Sequence, residues 1–174
     1  GTKNMLSNSM LKRGHGGAGN LHFVTRRQHQ GEEAATFVDV IVDEAHKRQT
    51  DHSFQGTIDL EKFDKLSKEK GAANIAYITV GAPVNMAGGQ PVSMENMKAL
   101  SKLAHDNGIK VVLDATRNIE NAYFIQQREK GYENKSVEEI NREFCSYSDA
   151  ATVSAKKDLY VNIGGMVLCN DEDL

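Results

Sequence analysis

The chain has 174 residues, enough for one domain with a sizeable hydrophobic core. Apolar residues make up 39% and charged residues 26%, as in ordinary globular domains, and a net charge of -3 excludes the basic excess of a nucleic-acid-binding protein. Two cysteines, Cys145 and Cys169, do not make a disulfide framework, which predicts a reducing, cytoplasmic location. No apolar run reaches the length of a membrane span.

Hydrophobic patterns predict strands and helices that alternate along the chain. The predicted strands cover 35–45, 74–85, 109–116, 150–154 and 164–170, and the predicted helices cover 59–71, 93–108, 120–131 and 136–149. This alternation indicates an α/β fold with a mostly parallel sheet and helices on both of its faces.

Three of the predicted helices have recognisable first residues. Asp59 and Ser93 are expected N-caps, and Ser136 with Glu139 fits a capping box. Gly71 suits the position that follows the end of the first helix. These signals predict the helix ends more closely than hydrophobicity alone.

The glycines Gly14, Gly16 and Gly19 match the spacing G-x-G-x-x-G of dinucleotide-binding proteins. That fingerprint requires a strand before it and a helix after it. Here the strand-like stretch "LHFVT" follows the glycines instead. We therefore interpret this stretch as a flexible or turn-rich loop.

Polar residues end three of the predicted strands. They are Asn85, Asp114 and the turn 154–157 with its two lysines. In parallel α/β sheets, ligands bind at the carboxyl ends of the strands. We therefore expect these residues to converge, although they are far apart in sequence.

Asp114 and Lys157 each have a functional and a structural interpretation. A carboxylate at the end of a buried strand is costly unless it is paired, so Asp114 either serves a site, caps the next helix, or pairs with Arg117. Lys157 is either a desolvated nucleophile for carbonyl groups or, with Lys156, one of two solvated loop lysines. Together, a strand-end aspartate and a strand-end lysine suit pyridoxal phosphate, whose aldehyde bonds to lysine and whose ring nitrogen needs an acidic partner.

Three longer runs resemble one enzyme family. "VNMAGGQPVSMENM" (84–97), "LDATRNIENAYFI" (113–125) and "SAKKDLYVNIGG" (154–165) are similar to the tyrosine phenol-lyase and tryptophanase family of β-eliminating lyases. The "AGGQPVS" and "ENAYFI" runs are highly specific to it, and the resemblance extends from about residue 4 to the end of the chain. It implies a fold-type I pyridoxal phosphate enzyme.

The resemblance also assigns expected roles to residues of this chain. Lys157 holds the cofactor and acts as the catalytic base, Asp114 contacts the pyridine nitrogen, and Arg117, with a role in catalysis too, contacts the ring oxygen. The other expected site residues are Asn85 at the ring oxygen, Phe23 stacked on the ring, Ser154 at the phosphate, Lys156 near the phosphate or in the water network of the site, and the backbone carbonyl of Asn162 at a monovalent cation, potassium.

Two departures from the family pattern affect this interpretation. Val24 follows the stacking Phe23 where the family usually has a hydroxyl or an acid that handles the leaving group. The chain also starts with glycine rather than methionine. We expect residues 1–174 to be the central part of the large cofactor domain, with the N-terminal segment, the small domain and the arginine that holds the substrate carboxylate outside it.

The predicted reaction is β-elimination of an aromatic amino acid, giving pyruvate and ammonia with indole or phenol. Tryptophanase is slightly favoured over tyrosine phenol-lyase. Two alternatives remain open, namely another fold-type I activity such as an aminotransferase or aldolase, and a non-catalytic fragment or paralogue. The family implies a homotetramer in the full-length protein, with no nucleic acid or membrane partner.

Overall fold

The computed structural model describes residues 10, 15–21, 36–47 and 49–170. In chain order the elements are β1 (Gly16–Gly19), β2 (Thr36–Asp39), α1 (Leu60–Lys70), β3 (Ile75–Gly81), α2 (Met94–Asp106), β4 (Lys110–Asp114), α3 (Asn118–Arg128), α4 (Val137–Ser146), β5 (Ala150–Ser154) and β6 (Gly165–Cys169). Within these ranges, no helix is long and apolar enough to cross a membrane.

The strands form one six-stranded sheet in the order β2-β1-β3-β4-β5-β6. The pairs from β2 through β5 are parallel, and β6 joins β5 in the antiparallel direction. Parallel strands need crossover connections, and helices provide those between β3 and β4 and between β4 and β5. The predicted α/β fold with a mostly parallel sheet is confirmed.

Alternate residues of the central strands belong to two hydrophobic clusters. Ile78 of β3 and Leu113 of β4 join the larger cluster, to which the buried faces of all four named helices contribute. Tyr77 and Val112 belong to a smaller cluster that also includes Met10. Because successive strand residues point to opposite faces, the sheet presents buried apolar side chains on both of its faces.

The predicted helix starts are confirmed in detail. Asp59 accepts hydrogen bonds from the backbone N–H groups of Glu61 and Lys62, and Ser93 accepts one from the N–H of Asn96. The Ser136 side chain and the Glu139 side chain form the reciprocal bonds of a capping box. These local signals fix where the helices begin.

The strand predicted over 35–45 is too long. β2 ends at Asp39, and Asp43–His46 forms a short 3₁₀ turn. Between them, Ile41 makes an isolated antiparallel bridge to Ile58, so the chain leaves the sheet while its side chains stay buried. Apolar and β-branched residues mark burial here, and they do not by themselves define a strand.

The interpretation of the glycine stretch as a loop is wrong. Gly16–Gly19 is the buried strand β1, paired with β2 on one side and β3 on the other. A Cβ on Gly17 would lie 2.9 Å from a ring carbon of Phe37, and one on Gly19 would lie 2.6 Å from the carbonyl oxygen of Thr79. The glycines are therefore required for close packing inside the sheet.

Replacing Gly19 with alanine should destabilise the protein by about 3 kcal/mol, because the new methyl group meets a backbone carbonyl that cannot rotate away. Gly81→Ala is the matched control. It is also a strand glycine, but the nearest atom to its added Cβ is the Oδ1 of Asn20 at 3.7 Å, an ordinary contact. Denaturant unfolding of both variants measures the difference, and equal losses would contradict this account.

Glu143 of α4 connects three other side chains. Its Oε1 lies 2.7 Å from Lys98 Nζ and accepts a hydrogen bond from the Tyr132 hydroxyl at 3.0 Å, and its Oε2 lies 2.8 Å from Lys135 Nζ. Burial acts to raise the pKa of Glu143, but the bonds from Lys135, Lys98 and Tyr132 outweigh it and lower the pKa to about 2. The ionised carboxylate therefore links α4 to α2 through its salt bridge with Lys98.

A depressed carboxyl pKa stabilises the fold above the pKa of the unfolded chain, near 4.5, and that stability disappears as the pH falls through about 2. Glu143→Gln should therefore lose about 2 kcal/mol at pH 7 and show a weaker pH dependence of unfolding between these values. Glu138→Gln removes an exposed carboxylate on the same helix and should change stability by less than about 0.5 kcal/mol. Identical pH profiles for wild type and Glu143→Gln would refute the prediction.

Candidate active site

The carboxyl ends of β3, β4 and β5 lie side by side. Gly81 pairs with Asp114, and Asp114 pairs with Thr152, two residues before the end of β5. The partly buried Asp114 is thus at the middle of this edge, with Asn85 beyond one neighbouring strand and the lysine turn beyond the other. The convergence of strand ends predicted from the sequence is present.

Thr116 links Asp114 to the start of the lysine turn. Its hydroxyl donates to Asp114 Oδ1 at 2.7 Å and accepts from the backbone N–H of Ser154 at 3.1 Å. One hydroxyl thereby uses both its donor and an acceptor. The aspartate and the segment that leads into the lysines are held through a single side chain.

The structure decides against one alternative for Asp114. The N-cap position of helix α3 is occupied by Arg117, whose side chain makes no cap hydrogen bond, so Asp114 is not the N-cap residue. Arg117 donates from Nη1 to Asn85 Oδ1 at 3.0 Å. Two residues that the resemblance assigns to the ring oxygen are therefore in direct contact, although 32 positions separate them.

Lys156 and Lys157 are both exposed, in the turn that follows β5. The Lys157 N–H donates to the Ser154 carbonyl at 3.4 Å, and the Tyr160 N–H donates to the Lys157 carbonyl at 3.0 Å. Of the two interpretations of the lysine pair, the described residues agree with the solvated one, since both side chains are exposed among them. Exposure leaves both amines accessible to a ligand, and the position of the turn beside Asp114 distinguishes it from an ordinary surface loop.

Asp158, the residue after the lysines, also reaches α3. Its Oδ2 accepts a hydrogen bond from the backbone N–H of Ile119 at 3.1 Å, in the first turn of the helix. Burial raises the pKa of Asp158, while this hydrogen bond and the charge of Arg117 act in the opposite direction. The carboxylate thus connects the lysine turn to the element that begins beside Arg117.

The remaining predicted site residues are distributed as follows. Ser154 is half-buried at the end of β5, and because its N–H bonds to Thr116, a phosphate contact would come from its hydroxyl. Asn162 is exposed in the segment between the lysine turn and β6. Phe23 and Val24 lie outside the described residues.

Sequence reasoning missed Thr116 and assigned no role to Asp158. Both are short polar side chains in turns, a pattern common enough to carry little information. Their contacts span 38 and 39 positions, so no local spacing reveals them. A signal that could have singled them out is their place in the sequence, since Thr116 is two residues after Asp114 and Asp158 directly follows Lys157.

The family model for beta-eliminating lyases matches residues 2–174. The tyrosine phenol-lyase of Lacrimispora saccharolytica is 54% identical over all 174 residues, and that of Clostridium tetani is 52% identical over the same length. The chain spans 37% and 38% of these two relatives.

Among solved structures, an archaeal O-phosphoseryl-tRNA(Sec) selenium transferase superposes with a TM-score of 0.65. The superposition covers 99% of the present chain and 36% of the transferase chain at 13% identity, which shows a shared fold only. The sequence matches go further, since they cover the chain from end to end and include the residues at the carboxyl edge of the sheet. The chain belongs to the beta-eliminating lyase family.

Proposed function

We propose that the protein containing this chain is a pyridoxal phosphate-dependent lyase that converts tyrosine and water into phenol, pyruvate and ammonia. The observation that carries the proposal is the connection of Asp114, through Thr116, to the turn with Lys157. A carboxylate and an accessible primary amine at neighbouring strand ends are the two groups this cofactor requires. The relatives named tyrosine phenol-lyase support the choice of substrate.

The chemistry of the side chains fits pyridoxal phosphate. Lys157 supplies an amine for its aldehyde, and Asp114 supplies an anion for its protonated ring nitrogen. Arg117 and Asn85, already in contact, supply donors for its ring oxygen. The Ser154 hydroxyl supplies a donor for its phosphate.

When bound, the cofactor acts as an electron sink for negative charge that develops at Cα of an amino acid. Lys157 removes the Cα proton as a general base, from a turn that follows the strand paired with Asp114. Asp114 keeps the proton on the ring nitrogen, and Thr116 orients Asp114 by donating to its Oδ1. Arg117 fixes the ring oxygen while its own position is fixed by Asn85.

Tyrosine is a better-supported substrate than tryptophan. The slight preference for tryptophanase came from sequence runs that the two activities share. The relatives from Lacrimispora saccharolytica and Clostridium tetani, which match over the full length of the chain, carry the name tyrosine phenol-lyase. We therefore reverse that preference.

Several features implied by the family remain part of this proposal. They are a position of residues 1–174 in the middle of the large cofactor domain, a homotetramer, a cytoplasmic location, a role for Lys156 near the phosphate, ring stacking by Phe23, and a potassium ion bound by the Asn162 carbonyl. The exposed setting of Asn162 and Lys156 leaves both able to contact a ligand.

The test is to incubate the full-length protein with pyridoxal phosphate and either tyrosine or tryptophan, and to measure phenol, indole and pyruvate. We expect phenol and pyruvate in equal amounts from tyrosine. Indole from tryptophan without phenol from tyrosine would show that tryptophan, and not tyrosine, is the substrate. Pyruvate formation that depends on an added keto acid would favour an aminotransferase, and cofactor binding without turnover would favour a non-catalytic paralogue.

A further inference from the structure

The lysine turn is attached at both ends to one short segment of chain. At its start, the Ser154 N–H donates to the hydroxyl of Thr116 at 3.1 Å. Just after the lysines, Asp158 Oδ2 accepts from the N–H of Ile119, also at 3.1 Å. Residues 116 and 119 flank Arg117 and follow directly after β4, which ends at Asp114.

The second attachment also completes the start of α3. The N-cap residue Arg117 provides no side-chain cap, and the first N–H groups of a helix have no partner within the helix. Asp158 provides one from 39 positions away, and its negative charge is favourable at this positive end of the helix dipole. The helix thus gains a cap, and the turn gains a fixed point on a regular element.

Backbone hydrogen bonds close the lysine turn on itself: the Val161 N–H donates to the Ala155 carbonyl at 3.3 Å, and the Ala155 N–H donates to the Gly164 carbonyl at 3.1 Å. Residues 159–163, which follow Asp158, are all exposed, so burial does not restrain the chain on that side. The backbone bonds from Lys157 to Ser154 and from Tyr160 to Lys157 shape the turn but do not connect it to α3. The carboxylate of Asp158 is the described side chain that makes that connection.

We propose that Asp158 is a positioning residue that sets the location of Lys157 relative to Asp114 and Arg117. The inference rests on the proposed function, in which Lys157 holds the cofactor. Asp158 acts through the backbone of the turn. Its removal should leave Lys157 chemically intact but take away the side-chain bond that fixes the turn to α3, so that Lys156 can compete for the cofactor.

Three variants of the full-length protein test this proposal. Asp158→Ala removes the acceptor. Asp158→Asn removes the charge but keeps a side-chain oxygen that can accept from the N–H of Ile119. Glu120→Ala is the matched control, because it removes another carboxylate from the first turn of α3 without touching the lysine turn. If Asp158→Ala does not fold, Asp158→Leu serves in its place, since it keeps side-chain volume without an acceptor.

Two quantities are measured, namely pyridoxal phosphate affinity by spectroscopic titration and the lysine modified after borohydride reduction, by peptide mass. Asp158→Ala should bind the cofactor about tenfold more weakly and distribute the adduct over Lys157 and Lys156. The cofactor affinity of Asp158→Asn should remain within about threefold of wild type, and that of Glu120→Ala should equal wild type. Activity is not needed for either readout.

The outcomes separate this inference from the proposed function. A wild-type adduct on Lys157 with an unchanged Asp158→Ala variant would overturn the positioning role alone. A loss in Glu120→Ala equal to that in Asp158→Ala would also overturn it, because helix stability would then be the cause. A wild type without any adduct on Lys157 would overturn the proposed function first.

Discussion

Replacing Lys157 with alanine should lower pyruvate formation from tyrosine by roughly a thousandfold, because the variant lacks both the covalent cofactor bond and the base at Cα. The cofactor can still bind noncovalently through Asp114, Arg117 and Ser154, so its overall affinity should be weakened rather than abolished. Initial rates with saturating cofactor measure the loss. The absence of borohydride-stable cofactor shows that the bond itself is missing.

The neighbouring lysine provides the sharpest comparison. Lys156→Ala removes the other exposed amine of the same turn and should cost no more than about tenfold, the scale of one hydrogen bond to a ligand. Lys102→Ala, on α2 and paired with Asp106, removes a lysine outside the site and should leave the rate unchanged. If Lys156→Ala lost more activity than Lys157→Ala, the two lysines would have to exchange roles.

Substitution of Asp114 by asparagine should reduce kcat by about a hundredfold to a thousandfold, the scale of removing one preorganised electrostatic partner. The asparagine oxygen can still accept from the Thr116 hydroxyl, so the link to the lysine turn remains while the charge is lost. The expected split is a large effect on kcat, little effect on covalent attachment of the cofactor, and an adduct that stays on Lys157.

Thr116→Val is the matched variant for this prediction. It keeps the charge of Asp114 but removes the hydroxyl that bonds to Asp114 and Ser154. We expect a smaller loss, about tenfold, that includes weaker cofactor attachment. An Asp114→Asn variant with wild-type kcat would contradict the assignment of Asp114 to the ring nitrogen, whatever the result for Thr116.

Features with a local cause were predictable from the sequence. The caps Asp59, Ser93 and Ser136 lie within three residues of the N–H groups they bind, so a short pattern contains all the information. The strand-end position of Asp114 could also be predicted, because a run of buried apolar residues precedes it. These elements set the fold class and the edge of the sheet where the site lies.

Features that depend on packing were not predictable. Gly16–Gly19 has the composition of a loop, and only its contacts with Phe37 and the Thr79 carbonyl explain why glycines occupy a central strand. The end of β2 at Asp39 depends on the bridge between Ile41 and Ile58. Propensity gives no access to such contacts, since tertiary packing overrides it.

The same limit applied inside the site. The resemblance assigned residues that would contact the cofactor. It assigned no role to Thr116 or Asp158, whose hydrogen bonds are to other protein groups. Each acts across nearly 40 positions, and each connects the segment after β4 to the turn after β5. Only the folded chain brings these segments together, which is why the supporting residues emerged from the structure.

The most direct test of this account is to saturate the full-length protein with pyridoxal phosphate, reduce it with borohydride, digest it and identify the modified lysine by mass. The account predicts one cofactor adduct per chain, on Lys157, which disappears in Lys157→Ala. An adduct on Lys156 in the wild type, or adducts scattered over many lysines, would contradict the assignment of the turn after β5 as the cofactor site.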